Sequence, residues 1–281
     1  MNYIDLHIHS TYSDGTYTPE EILKLASEKN LKAIALTDHD TLNGVYEAEK
    51  EAEKYGVEFI AGCEISATFN NTKIHVLGYF PEGITSEMIS ILEERRKRRH
   101  LRIKKICEQL QAAGIDICYE EVVDDVEKDS PGRANVAEKM FAKGYVKSVA
   151  DAFSGFLVKG KVGYVESVRI TPKEAVEIIK RNNGMAYIAH LNQIKEDNET
   201  IFSLLCELKK YGLDGIEGYY TQYDDEQNEL YRGFAKKLDL LLSGGSDFHG
   251  DIKPEVQLGV GYGNLKVPYE LYENMIKNVN K

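Results

Sequence analysis

His7 and His9 stand two residues apart at the end of a first apolar run, Tyr3 to His9. Alternate residues of a strand point to the same side, so this His-x-His pair can grip one cation between two imidazoles. His39 follows a second run, Ala33–Thr37, with Asp38 and Asp40 on either side. His75 lies early in a fourth run, His190 ends a fifth, and His249 follows a seventh, two residues after Asp247. Asp14 comes after the first run and Glu64 lies in the third; of the seven histidines only His100 is elsewhere. A lone histidine at a strand end is ordinarily a hydrogen-bonded structural residue. Six of them, each with an acid nearby, make a pattern suited to divalent cations. Imidazole nitrogen and carboxylate oxygen ligate zinc, manganese and iron with no thiolate required.

The elements that must position these residues read as a repeating βα pattern. Thr18-Pro19-Glu20-Glu21 is an N-cap, a proline at the first helical position and a capping-box glutamate, and it opens a helix to about Asn30. Strand Ala33–Thr37, a helix from about Asn43 to Tyr55, and strands Glu58–Ile65 and Lys73–Phe80 follow. From about Ser86 to Phe156 the chain is charged and mostly helical. The βα pattern resumes at Thr171-Pro172-Lys173-Glu174, which repeats the cap. It continues with strand Met185–His190, a helix at about Glu199–Tyr211, strand Gly215–Tyr220, a helix from about Asp224 to Leu238 and strand Leu240–Ser243. Roughly seven units interrupted once, after the fourth strand, close into a barrel or a doubly wound sheet. A barrel is the reading that lets ligands from many strand ends meet at one point. Residues 1–85 and 165–281 are accordingly assigned to the barrel and 86–164 to a helical insertion.

The motifs Asp5-Leu6-His7-Ile8-His9-Ser10, Ser13-Asp14-Gly15-Thr16, Thr37-Asp38-His39-Asp40, Gly62-Cys63-Glu64-Ile65, Ile74-His75-Val76-Leu77-Gly78-Tyr79, Ala189-His190 and Ser246-Asp247-Phe248-His249-Gly250 span nearly the whole chain in order. Together they resemble the polymerase-and-histidinol-phosphatase (PHP) superfamily. The resemblance implies a distorted seven-stranded (β/α) barrel holding two or three divalent ions, manganese, zinc or iron. It implies one site of His7, His9, Glu64 and Asp247, a second that shares Glu64 and adds His75 and His190, and a third of Asp14, His39 and His249. Such a cluster lowers the pKa of a bridging water, and the hydroxide attacks phosphorus in line while the ions neutralise developing charge. Glu64, Asp247 and His249 are the residues on which this chemistry would chiefly rest. The leaving-group acid stays open between a metal-bound water and a carboxylic acid such as Asp247 or Asp14. Asp38 and Asp40 are left as partners for a ligating imidazole, with helix capping an equal alternative for Asp40.

A helical insertion in this place resembles the PHP branch of nucleoside 3',5'-bisphosphate phosphatases and 5'-3' exonucleases acting on short RNA. That branch commonly carries Gly-Arg-Pro-His here, whereas this chain reads Gly132-Arg133-Ala134-Asn135. Arg133, with Asn135 beside it, is the candidate contact for a substrate phosphate, which an arginine can hold bidentately. The alternative is a solvated side chain. Lys159-Gly160-Lys161 is either a second phosphate contact or an ordinary basic turn. The run Arg95-Arg96-Lys97-Arg98-Arg99-His100 reads first as a solvated helix face, with local attraction of a phosphorylated substrate as the alternative. Leu92, Ile103, Ile106 and Leu110 make one apolar stripe, and Glu93 and Glu94 can pair with Lys97 and Arg98. Glu217, Tyr219 and Tyr220 are placed near the mouth, where a tyrosine could stack on a base.

A formal net charge of -11 argues against a broad nucleic-acid surface while leaving small anionic substrates open. The four cysteines form no CxxC pair, so neither a disulfide framework nor a zinc knuckle is expected. An acid at Asp5 interrupts any leader-like apolar run, and no stretch nears the ~20 apolar residues of a membrane helix. A cytoplasmic enzyme acting on a small phosphorylated nucleotide, or on short RNA, is the expectation. A histidinol-phosphate phosphatase and a non-catalytic metal-binding module are the competing readings.

Overall fold

In a computed structural model, residues 2–124, 131–166 and 170–279 are described. Positions 125–130, part of the stretch expected to be helical, lie outside the described residues. The elements run β1 (Tyr3–Ile8), α1 (Pro19–Glu28), β2 (Leu31–Leu36), α2 (Asn43–Tyr55), β3 (Glu58–Phe69), β4 (Thr72–Tyr79), α3 (Ser86–Ala112), α4 (Tyr119–Asp124), α5 (Arg133–Ala142) and α6 (Val149–Ala152). After a π-helical turn at Phe153–Leu157 come α7 (Pro172–Arg181), β5 (Met185–Ile188), α8 (Asn198–Lys209), β6 (Gly215–Tyr220), α9 (Asp225–Leu238), β7 (Leu241–Gly245), β8 (Val267–Pro268) and α10 (Glu270–Val279). Both Thr-Pro-x-Glu caps form: Thr18 accepts from Glu21 N–H and Thr171 from Glu174 N–H, each with the reciprocal glutamate bond.

The strands form one sheet in the order β7-β6-β5-β4-β3-β2-β1-β8. It curls into a distorted barrel, because β7 returns to β1: Asp247 N–H donates to the His7 carbonyl and His9 N–H to the Phe248 carbonyl, each at 2.9 Å. Gly245 makes this approach feasible, since a Cβ there would lie 2.4 Å from the His7 Cβ. The barrel is not all parallel. β4 runs antiparallel to both β3 and β5, and the two-residue β8 runs antiparallel to β1. The start of β4 therefore lies at the same end of the barrel as the C-termini of the six parallel strands. That end, the rim, is where the sequence places the histidines.

Ile4, Leu6, Ala33, Ala35, Leu77, Tyr79 and Tyr187 fill the barrel interior from β1, β2, β4 and β5. A second cluster seals β2 against α1 and α2 through Ile34, Leu36, Ile22, Leu23, Ala48 and Ala52. The chain divides into two compact units, Met1–Ser90 with Arg169–Lys281, and Ile91–Val168. The second has its own apolar core, including Ile103, Ile106, Leu110, Val136 and Met140. Among the described residues no helix is long and apolar enough to cross a membrane.

Candidate metal centre

β1 delivers His7 and, one residue past its end, His9, both fully buried. The loop that follows turns back over His9 and brings Asp14 to the cluster. Gly15 permits the turn, because a Cβ there would lie 2.3 Å from the His9 carbonyl oxygen. His39 comes from the end of β2 and Glu64 from β3, whose residues beyond Ala61 outrun β2. His75 comes from the start of β4, His190 from beyond β5, and Asp247 and His249 from beyond β7. His190 (φ 25°) and Asp247 (φ 56°) both sit in the left-handed region that non-glycine residues seldom occupy. The surrounding contacts hold them there to aim their side chains inward.

Glu64 is the hub. Its Oε1 lies 2.6 Å from His75 Nδ1, 3.0 Å from His190 Nε2 and 3.5 Å from His7 Nε2. Its Oε2 lies 3.0 Å from His39 Nδ1 and 3.3 Å from His9 Nε2. Asp247 Oδ1 stands 3.3 Å from His9 Nε2, 3.5 Å from His7 Nε2 and 3.6 Å from His249 Nδ1. Asp14 faces His9, His39 and His249 at 3.4 to 3.6 Å. Burial opposes ionisation of Glu64, but the imidazoles of His75, His39 and His7 hold its carboxyl well below the ordinary range. Burial likewise opposes ionisation of Asp247, and His9, His7 and His249 outweigh it. Burial pushes both His75 and His249 down.

These residues fit divalent cations. His7 Nε2, His9 Nε2 and His39 Nδ1 are buried with no hydrogen-bond partner, although each faces a carboxylate oxygen. A buried polar atom left unpaired is costly, and a cation seated among these lone pairs removes the cost. Four overlapping groups place their donor atoms within 4.8 Å of one another: His9-Asp14-His39-His249, His7-Glu64-His190, His7-His9-Asp247 and His39-Glu64-His75. All nine expected ligands come together. The groups interlock more than three separate sites would, because His7, His9 and His39 each belong to two of them.

A PHP domain matches residues 5–278. The chain belongs to the PHP domain family. It is 33% identical over 247 residues to a 5'-3' exoribonuclease of Haemophilus influenzae, covering 87% of this chain and 89% of that protein. It is 31% identical over 252 residues to a 3',5'-nucleoside bisphosphate phosphatase of Chromobacterium violaceum, covering 89% and 88%. Among solved structures, an amidohydrolase from Chromobacterium violaceum with bound sulfate and no metal superposes with a TM-score of 0.80 at 29% identity over 96% of each chain. A Bifidobacterium adolescentis protein provisionally classed as a metal-dependent phosphoesterase gives 0.81 at 27% identity, over 98% of this chain and 96% of that one. This PHP protein is a metal-dependent phosphoesterase.

Around the cluster of this PHP protein lies a set of supports. Asp247 Oδ2, turned away from the histidines, accepts from Tyr220 Oη at 3.1 Å and from Lys253 Nζ at 3.0 Å. Glu217, placed near the mouth from the sequence, is instead fully buried beneath the cluster against His7. The only signal for it was an acid inside a strand otherwise made of glycine, isoleucine and tyrosine. For Lys253 there was no signal. Tyr219 and Tyr220 point opposite ways, as strand neighbours must. Tyr220 reaches the cluster, while Tyr219 lies under Arg232, whose guanidinium carbon is 3.8 Å from the ring centroid.

Asp38 takes another role than expected. Asp38 accepts from Ser10 N–H, Ser10 Oγ and Ser13 Oγ, bracing the loop after β1 rather than an imidazole. Asp40 is not the N-cap of α2, because the residue preceding that helix is Leu42. In the insertion, Arg133 Nη1 donates to the Leu157 carbonyl at 2.8 Å and its guanidinium packs over Phe153. Asn135 Oδ1 accepts from Gly132 N–H at 2.9 Å, closing the first turn of α5. On α3 the stripe of Leu92, Ile103, Ile106 and Leu110 is buried, and Arg98 pairs with Glu94 at 3.0 Å. Lys159 and Lys161 lie in an exposed turn.

Proposed function

We propose that this enzyme removes the 3'-phosphate from nucleoside 3',5'-bisphosphates and also hydrolyses short 5'-phosphorylated RNA from its 5' end. The reading is carried by the two carboxylates, Glu64 and Asp247, that face three buried imidazole nitrogens lacking hydrogen bonds. The substrate class is supported by the likeness to the bisphosphate phosphatase and the exoribonuclease over most of the chain. His7, His9, Asp14, His39, Glu64, His75, His190, Asp247 and His249 would hold two or three ions of manganese, zinc or iron. When bound, the ions supply an activated water and Lewis acidity for the phosphoryl oxygens.

The chain's own residues set the geometry. Glu64 would offer Oε1 beside His75, His190 and His7, and Oε2 beside His39 and His9. Asp247 offers only Oδ1, because Tyr220 and Lys253 hold Oδ2. Arg133 is the cation of the insertion assigned to a substrate phosphate. Asn135, whose Oδ1 is committed to its helix, has only its amide N–H groups to offer an anion.

The test is phosphate release by manganese-loaded protein from adenosine 3',5'-bisphosphate, beside 5'-AMP, histidinol phosphate and a short 5'-phosphorylated RNA. Preferred turnover of the bisphosphate and the RNA, lost in His249→Ala, supports the assignment. Turnover of histidinol phosphate alone refutes the nucleotide reading and leaves the metal centre intact.

A further inference from the structure

Glu217 lies in the middle of β6, fully buried, and its single carboxylate touches two candidate ligands from two other strands. Its Oε1 is 3.0 Å from His7 Nδ1, and its Oε2 accepts the backbone N–H of His190 at 2.7 Å. We propose that Glu217 is a positioning residue that fixes the ring tautomer of His7 and the backbone of His190, so that both present their Nε2 atoms to the metal ions. The proposal rests on the reading of the cluster as a metal centre.

A neutral imidazole has one N–H donor and one lone pair. A carboxylate beside Nδ1 can only accept, so the proton stays on Nδ1 and the lone pair is left on Nε2. That Nε2 has no hydrogen-bond partner and faces Glu64 Oε1 and Asp247 Oδ1, both at 3.5 Å. The second oxygen anchors His190 at the one point where its backbone departs from the strand, at φ 25° and ψ 65°. Tyr223 locks the same corner: its hydroxyl donates to the Glu217 carbonyl at 3.1 Å and accepts from Leu191 N–H at 2.8 Å.

Two acceptors in one rigid group are what the position requires. Glutamine has one acceptor and one donor. In one orientation its NH2 meets the His190 N–H, donor against donor. In the other it meets His7 Nδ1 and favours the tautomer whose Nε2–H points at the ions. Aspartate is one methylene shorter and cannot span both partners.

The experiment uses the full chain, labelled with 15N and loaded with zinc, which is diamagnetic. Ring 15N–1H correlations, linked through bonds to the backbone, report which nitrogen of His7 bears the proton. Zinc affinity of wild type and Glu217→Gln is read by competition with a chromophoric chelator. The expected result is a proton on His7 Nδ1 in wild type, and zinc binding weakened by roughly 10- to 100-fold in E217Q. A proton on Nε2 in wild type, or E217Q affinity within about threefold of wild type, overturns the proposal. Should E217Q not fold, the wild-type spectrum decides alone. A wild-type chain that binds no zinc, manganese or iron brings down the metal centre as well, which separates that failure from this one.

Discussion

Replacing Glu64 with glutamine keeps the volume and shape of the hub but removes its charge and one of its two acceptor oxygens. In wild type, Oε1 faces His75, His190 and His7 at 2.6, 3.0 and 3.5 Å, while Oε2 faces His39 and His9 at 3.0 and 3.3 Å. The amide can turn its oxygen toward one group only, and the NH2 left facing the other cannot ligate a cation. One position loses a donor whichever way the side chain turns. A unit charge removed about 4 Å from a divalent ion, at an effective dielectric of about 20, forfeits roughly 8 kcal/mol. If the amide dipole returns about half, affinity at the weakened position still falls by about 4 kcal/mol, or roughly a thousandfold. The assay is elemental analysis of metal per chain after dialysis against micromolar manganese, with phosphate release measured on the same sample. E64Q should retain at least one ion fewer than wild type and lose activity in proportion. A full metal complement with activity within about tenfold of wild type would refute Glu64 as a shared ligand.

Arg133→Ala should raise KM for the bisphosphate by roughly ten- to hundredfold, the worth of a charge-assisted hydrogen bond, with metal content unchanged. An unaltered KM in steady-state assays would return Arg133 to its bond with the Leu157 carbonyl alone. Dialysis against a chelator should abolish turnover and lower the melting temperature by several degrees, because ions that bind only the folded chain stabilise it by mass action. Calorimetry before and after adding manganese back checks both. Thr18→Ala and Thr171→Ala should each cost about 1 kcal/mol and add in the double mutant, since the capping boxes sit on separate helices. Urea unfolding gives the comparison: a single mutant that costs almost nothing argues that its cap does not form, and markedly less than additive loss argues that the two sites are coupled.

The candidate site was legible because its chemistry is spelled in residue types that sit at strand ends, and all nine donors meet in the fold. The helices were legible where caps announce them, as at Thr18 and Thr171. Strand direction was not, because an apolar run looks the same read either way. A signal was nonetheless present: Asn70 and Asn71, alone between β3 and β4, both have positive φ (46° and 62°). Two residues of this kind make the tight turn whose twist matches an antiparallel hairpin. Glu217 was hard to read because a buried acid is recognised by its partners, His7 and the His190 N–H, and both lie far away in sequence. Asp38 misled for the same reason. Its position beside His39 suggested an imidazole partner, yet its carboxylate turns to Ser10 and Ser13.

The reversal of β4 is what completes the centre. His75 pairs across the hairpin with Ser66, near the rim, four residues before the strand ends at Tyr79 deeper in the barrel. Were β4 parallel to its neighbours, Tyr79 would take the rim position. His75 would then sink by four residues, roughly 13 Å at about 3.3 Å per residue. No hydrogen bond or ion pair to Glu64 Oε1 spans such a distance, and Oε1 would lose its nearest contact, the one at 2.6 Å. The long β3 serves the same end. By outrunning β2 it lifts Glu64 into the cluster and supplies Ser66 as the pairing partner for His75. A uniform βα barrel draws its rim residues from strand C-termini alone. Here one hairpin adds a donor from a strand's beginning, and the carboxylate on its first arm and the imidazole on its second meet across it.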